Sequence, residues 1–260
     1  MQLPRIGRRR RVEKIMLNLV VFAATLASSE HDATAFKLIR AMESKYQTAL
    51  TLSGRIIGAF SAGNQAVETI TDIKYVRPAL LDITETKLAA NGGTYSIKSD
   101  GKTFSYGEPL DNRFKGRQRL YEDVRRQNGY LFTINDIYFA GFKSLPAHGT
   151  DLDIVLGMEG NLADWHKRLL TMQSAKTATL HKEKCKVIEG NLSPFSQGDA
   201  TGRYEIWIGP DKLMRRYVEV DHVIDRTPNM PVIDMNVATV YDFSVQLDTN
   251  LPSSLFSSGN

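Results

Sequence analysis

Ser99-Asp100-Gly101-Lys102-Thr103-Phe104 joins two runs of alternating polar and apolar residues, 94–98 and 102–106, and its reading decides the fold. Glycine tolerates the positive φ that a tight turn between right-twisted strands demands, so Asp100-Gly101 marks a hairpin. Upstream, Val76-Arg77-Pro78 closes another alternating run, and Pro78, which has no N–H for a sheet ladder, ends a strand or marks an edge. The period of two extends further back. Leu50, Leu52, Ile56 and Phe60 alternate with Thr51, Ser53, Arg55 and Ser61, and Gly54 and Gly58 fall on the apolar side, where missing side chains point to bending or close approach of another element. Ala62-Gly63-Asn64 turns the chain into a run over 65–77, and 80–88 supplies a third strand before Asn91-Gly92-Gly93 turns it again. These signals together describe a curved antiparallel sheet.

Helical periods bracket that sheet. Asp32 is placed to cap a helix in which Ala35, Ile39, Met42 and Tyr46 share one face, beside Phe36 and Leu38, while Lys37, Arg40, Glu43 and Lys45 form the exposed face. From residue 152, Val155, Met158, Leu162, Trp165, Leu169 and Met172 again follow helical spacing, with Gly157 and Gly160 splitting the segment in two. Strands return over 179–188, 204–208, 213–224 and 237–247, the last with Val237, Tyr241, Phe243, Val245 and Leu247 on one face, and Gly209-Pro210-Asp211 reads as a hairpin turn. Residues 106–150 break the pattern: they carry Arg113, Lys115, Arg117, Arg119, Arg125 and Arg126, a strand-like patch at 130–134 and a short helical stretch at 117–126.

An Arg-Pro at the end of one strand followed by a Ser-Asp-Gly-Lys-Thr hairpin resembles the bacterial outer-membrane lipoprotein carrier superfamily (LolA-like). The likeness covers residues 33–106 best, continues in style at 203–208, 213–220 and 251–256, and is absent between. It implies an α+β fold: an incompletely closed, strongly curved antiparallel half-barrel, with helices covering a concave apolar face that holds acyl chains. Phe60, Tyr95, Ile97, Phe104 and Tyr106 are then the candidates to line that face, although the same aromatics would also suit a filled barrel core. Arg77 occupies the position whose arginine, in the carrier, is implicated in holding the lid and handing cargo onward. Half-barrels similar to this also serve in envelope-stress regulators that bind an anti-sigma partner. In that alternative, Arg113, Arg117, Arg119, Arg125 and Arg126 would form the contact surface, as they would for lipid phosphates.

The first residues read as an export signal. Arg8 to Arg11 and Lys14 form a basic region, residues 16–26 an apolar one, and Thr25 and Ala27 are small enough to precede cleavage after residue 27; an uncleaved anchor is the alternative. The apolar run is short for a bilayer span. Val12-Glu13-Lys14 suits the general secretory route better than the twin-arginine one. Removing residues 1–27 takes six basic residues and one acid from a chain of formal charge +4, which leaves about −1. The basic pI therefore belongs to the address, and no nucleic-acid partner is implied. The expected organisation is residues 1–27 as signal and 33–256 as one monomeric, periplasmic domain of a size that needs no disulfide staple. Its expected partners are a lipid or lipidated protein and an inner- or outer-membrane protein.

Chemistry is poorly supported. Gly58-Ala59-Phe60-Ser61-Ala62-Gly63 has the wrong spacing for a nucleophile elbow, so Ser61 reads as a strand-end serine. His31, His148, His166, His181 and His222 are scattered singly, no His-Glu-x-x-His occurs, and no glycine-rich phosphate loop is present. Cys185, the sole cysteine, reads as a small strand residue. No catalytic residue, metal or cofactor is assigned, and the expected function is non-catalytic: binding and carriage of lipid or lipoprotein acyl chains.

Overall fold

A computed structural model describes residues 32–88, 92–102, 104–107, 119–121, 134, 150–158, 165–193, 202–225 and 233–256. The chain enters through α1 (Ala33–Thr48). Asp32 stands at its N-cap in an extended conformation, and its carboxylate accepts the Thr34 N–H at 2.7 Å, which satisfies one of the amides that a helix start leaves orphaned. Ala35, Ile39, Met42 and Tyr46 are buried, as their spacing requires. Glu43 is buried with them, against the expectation of an exposed position, because His166 and Arg40 close over its carboxylate.

Two wings of antiparallel strands meet in one sheet. The first holds β1 (Thr51–Ala62), β2 (Gln65–Val76), β3 (Leu80–Lys87), β4 (Thr94–Asp100), β5 (Phe104–Gly107) and β6 (Arg119–Tyr121) in chain order. After α2 (Thr150–Val155) come β7 (Gln173–Leu180), β8 (Glu183–Leu192), β9 (Gly202–Ile208), β10 (Met214–Asp225) and β11 (Ile233–Leu247). β1 pairs with β11, Leu52 opposite Leu247, and so joins the wings into an eleven-stranded sheet with β6 and β7 as its edges. The result is an α+β, incompletely closed, curved half-barrel. A 3-10 turn, Ser253–Phe256, packs against β3 and β4.

The hairpin signals place the turns. Gly63 (φ 55°) turns β1 into β2, and Gly101 (φ 84°) turns β4 toward β5, while the Asp100 carboxylate accepts the Lys102 N–H at 2.8 Å. Across this turn Ser99 stands opposite Phe104. Gly54 and Gly58 are sites of close approach: a Cβ on Gly54 would strike the Ser244 carbonyl, and one on Gly58 would lie 2.6 Å from Thr69 Oγ1.

Four expectations are corrected. Pro78 follows the end of β2, with the Arg77–Pro78 peptide cis, but it marks no edge, because β2 is paired on both sides. The span 179–188 is not one strand. His181 (φ 48°) and Lys182 (φ 71°) turn it into the β7–β8 hairpin without any glycine or asparagine to announce it. Residues 119–121 within the expected helix at 117–126 form β6. The helical period from 152 breaks after α2, at Gly157 as expected, and among the described residues it is seen again over 165–168, but Leu169 and Met172 do not continue it: Leu169 bridges to Leu192 and Met172 leads into β7. Residues 159–164, with Gly160 and Leu162, lie outside the described residues, as do the signal at 1–27, Arg113, Arg117, Arg125, Arg126 and the side chain of Arg119.

Candidate functional site

Strand register gives the inner face of the sheet row by row. In the first wing, Leu52, Tyr75, Leu81 and Ser99 stand across from one another, followed by Gly54, Ile73, Ile83 and Ile97, then by Ile56, Thr71, Glu85 and Tyr95. Leu52, Ile56, Ile73, Tyr75, Leu81, Ile83 and Ile97 are buried in one cluster with Ala35, Ile39, Met42 and Tyr46 of α1 and Leu152, Ile154 and Val155 of α2. The helices thus lie against an aliphatic inner face. Beyond Gly58, Phe60 on the same face is 40% exposed.

Arg77 fastens the cover at the opposite end. Its Nε donates to the Ala49 carbonyl at 2.8 Å, and its Nη2 donates to the Tyr46 carbonyl at 2.8 Å and the Leu156 carbonyl at 3.2 Å. Tyr46 and Ala49 belong to the end of α1, and Leu156 follows α2. Helix ends leave carbonyls unpaired and carry partial negative charge, so one guanidinium caps two helix C-termini at once. The Tyr75 ring supports it from one side, 5.4 Å from centroid to Cζ. Gly157 (φ 65°) makes room, because a Cβ there would lie 2.9 Å from Arg77 Nη2 and 3.0 Å from Gln47 Cα.

The second wing carries charge on its inner face. Tyr217, Glu219 and Asp221 of β10 stand opposite Ile206, Tyr204 and Gly202 of β9. Arg168, from the 165–168 turn, donates to Glu219 Oε1 at 2.6 Å and lies 3.9 Å from Asp221 Oδ2, while Tyr217 donates its hydroxyl proton to Glu219 Oε2 at 2.6 Å. Burial pushes the Asp221 carboxyl up to about 7; the neighbouring Glu219 carboxylate adds to the shift and Arg168 opposes it. Gly190 and Gly202 admit this layer: a Cβ on Gly190 would strike the Thr171 carbonyl, and one on Gly202 would strike Asp221 Oδ1. Burial also raises the Tyr46 and Tyr217 hydroxyls, which act here as neutral hydrogen-bonding groups, Tyr46 accepting the Met214 N–H at 3.1 Å.

Of the residues expected to line the site, Ile97 is fully buried in the core, Tyr95 packs partly buried against it, and Phe60 is exposed. Phe104 and Tyr106 pair with Ser99 and Ile97 on β4, and their side chains lie outside the described residues. Arg168, Glu219, Asp221 and Tyr217 were not anticipated. Their only signal is the spacing of two along β10, and it names no face. Cys185 is buried and its thiol is pushed up, first by burial and then by Glu183, which suits the structural reading. Among the described residues no cluster of three or more His, Cys, Asp or Glu could hold a metal ion, and no helix is long and apolar enough to cross a membrane.

No protein-family model and no curated protein matches the chain. Among solved structures, LprF from Mycobacterium bovis is similar at 9% identity over 82% of this chain and 93% of that one, with a TM-score of 0.39. A LolA superfamily protein from Nitrosomonas europaea is 10% identical over 86% of this chain and 97% of that one, with a TM-score of 0.29. The MucA/MucB complex of Pseudomonas aeruginosa is 9% identical over 87% of this chain and 62% of that one, with a TM-score of 0.39. The structural neighbours thus include the superfamily whose motifs the sequence resembles.

Proposed function

We propose that the protein is an exported, monomeric, non-catalytic carrier of the periplasm that shelters the acyl chains of a lipid or lipoprotein between the inner face of its sheet and the helices laid over it. The observation that carries this reading is the Arg77 latch: one side chain on a strand turn holds the ends of both covering segments over an aliphatic face. An acyl chain gains about 0.8 kcal/mol for each CH₂ withdrawn from water, so a long chain exposed to an aqueous compartment carries a penalty on the order of 10 kcal/mol. A cover that opens lets such cargo enter and leave, and a hydrogen-bonded latch is a suitable fastening. Each bond from a charged donor contributes about 1.5–3 kcal/mol, less than the cohesion of a whole domain. Phe60 and Tyr95, and by register Phe104 and Tyr106, would line the path of the chain, with Ile97 at its floor.

Arg77→Leu tests it. The variant folds, because the β2–β3 turn and the buried rows remain, but the cover loses its latch and cargo is trapped or misrouted in a transfer assay between donor and acceptor membranes. Arg77→Lys keeps the charge without the planar fork and falls between the two. Unaltered release in Arg77→Leu would contradict the proposal.

A further inference from the structure

From 176 to 186 the chain reads Lys-Thr-Ala-Thr-Leu-His-Lys-Glu-Lys-Cys-Lys, the β7–β8 hairpin, and Lys176, Lys182, Lys184 and Lys186 are all exposed. The one acid among them is already taken: Arg215 donates from Nε to Glu183 Oε2 at 2.7 Å and from Nη2 to Oε1 at 3.0 Å. The same guanidinium reaches Asp211 of the adjacent β9–β10 turn at 2.7 Å, beside which Lys212 is exposed. Among the described residues, Lys182, Lys184, Lys186 and Lys212 make no ion pair, and Lys186 donates only to Thr177 Oγ1 at 3.0 Å. One arginine thus pairs with both acids of these two turns and leaves four ammonium groups facing water.

The location is informative. Lys186 lies opposite Ile208, and Ile208 opposite Met214, whose N–H reaches the Tyr46 hydroxyl. The two turns consequently project from the end of the sheet at which Arg77 holds the Tyr46 carbonyl, and where Leu50, 71% exposed, follows α1. We propose that this end docks on an anionic lipid bilayer, with Lys182, Lys184, Lys186 and Lys212 meeting headgroup phosphates. Each lysine near such a surface contributes about 1 kcal/mol, and the attraction fades within roughly 10 Å at 0.1 M salt. Because the chain without residues 1–27 is about −1 overall, the attraction is local to this end and orients the molecule with its latch toward the membrane. The docking stands on the charges alone; its use in cargo transfer rests on the carrier reading.

Co-sedimentation of the full chain with phosphatidylglycerol-containing and with pure phosphatidylcholine vesicles tests it, with Arg5, Arg8, Arg9, Arg10, Arg11 and Lys14→Gln in every arm so that the leader carries no basic side chain. Lys182→Gln, Lys184→Gln and Lys186→Gln together should lower partitioning onto the anionic vesicles on the order of 10- to 100-fold at low salt, and replacement of the same three by Arg should preserve it. Equal binding to both vesicle types, or an unchanged triple Gln variant with unchanged thermal midpoint, overturns the proposal. An acyl ligand measured separately in the same protein reports on the carrier reading, so either can fail while the other stands.

Discussion

The two wings of one sheet use their inner faces differently. On β2 to β4, Ile73, Leu81, Ile83 and Ile97 offer a mainly aliphatic floor in which Glu85 is the one buried carboxyl among the described residues, whereas on β9 and β10 the corresponding surface is built around Tyr204, Tyr217, Glu219 and Asp221 and is closed by Arg168. The aliphatic wing can exchange one apolar neighbour for another with little change in free energy, as a surface that alternately meets helix and acyl chain must. The charged wing cannot, since separating Arg168 from Glu219 would strand buried charge. On the proposed carrier reading, the second wing is the fixed side and the first, next to Arg77, the releasable one.

Three variants probe that contrast. Ile97→Ala leaves a hole in a fully buried row and should cost about 4 kcal/mol, read as a fall in the urea midpoint at unchanged slope. Arg168→Met should cost about 3 kcal/mol by leaving Glu219 and Asp221 together without their cation, and adding Glu219→Gln should restore part of it. If Arg168→Met were neutral, the second wing would be as exchangeable as the first, and the contrast would fail.

The smallest effect is the most specific. The Asp221 carboxyl is raised from an ordinary value near 3.8 to about 7, so the folded chain holds a proton that the unfolded chain releases. This group therefore costs nothing below about pH 4, its penalty grows as pH rises from there to about 7, and it is fully present above. Asp221→Asn should raise the thermal midpoint relative to the parent at pH 8, and the gain should vanish at pH 4. A gain that is constant across this range would remove the titration from the account.

Much of the first wing was legible because its turns use residues that disclose them: Gly63-Asn64 and Asp100-Gly101 in that wing, and Gly209-Pro210-Asp211 between β9 and β10 in the second. The β7–β8 turn was not legible, since His181 and Lys182 adopt left-handed backbone that local sequence would assign to glycine or asparagine. Glu43 was misread for another reason. On its own helix it belongs to the polar stripe, and His166, distant in sequence, joins Arg40 in making its burial tolerable. The inner face of β10 carried no face assignment in the sequence; Tyr217, Glu219 and Asp221 point inward because Arg168 and the bare glycines of β8 and β9 receive them. Arg77 was singled out through the family resemblance at Arg77-Pro78, and its three carbonyl partners come from two other segments that no local pattern names.

Native mass spectrometry of the protein recovered from the cell envelope tests the central claim most directly. The account predicts a population heavier than the polypeptide by the mass of an acyl-bearing molecule, released on denaturation and altered in amount by Arg77→Leu. Recovery of the bare polypeptide alone, or of a membrane-protein complex without any acyl ligand, would contradict it.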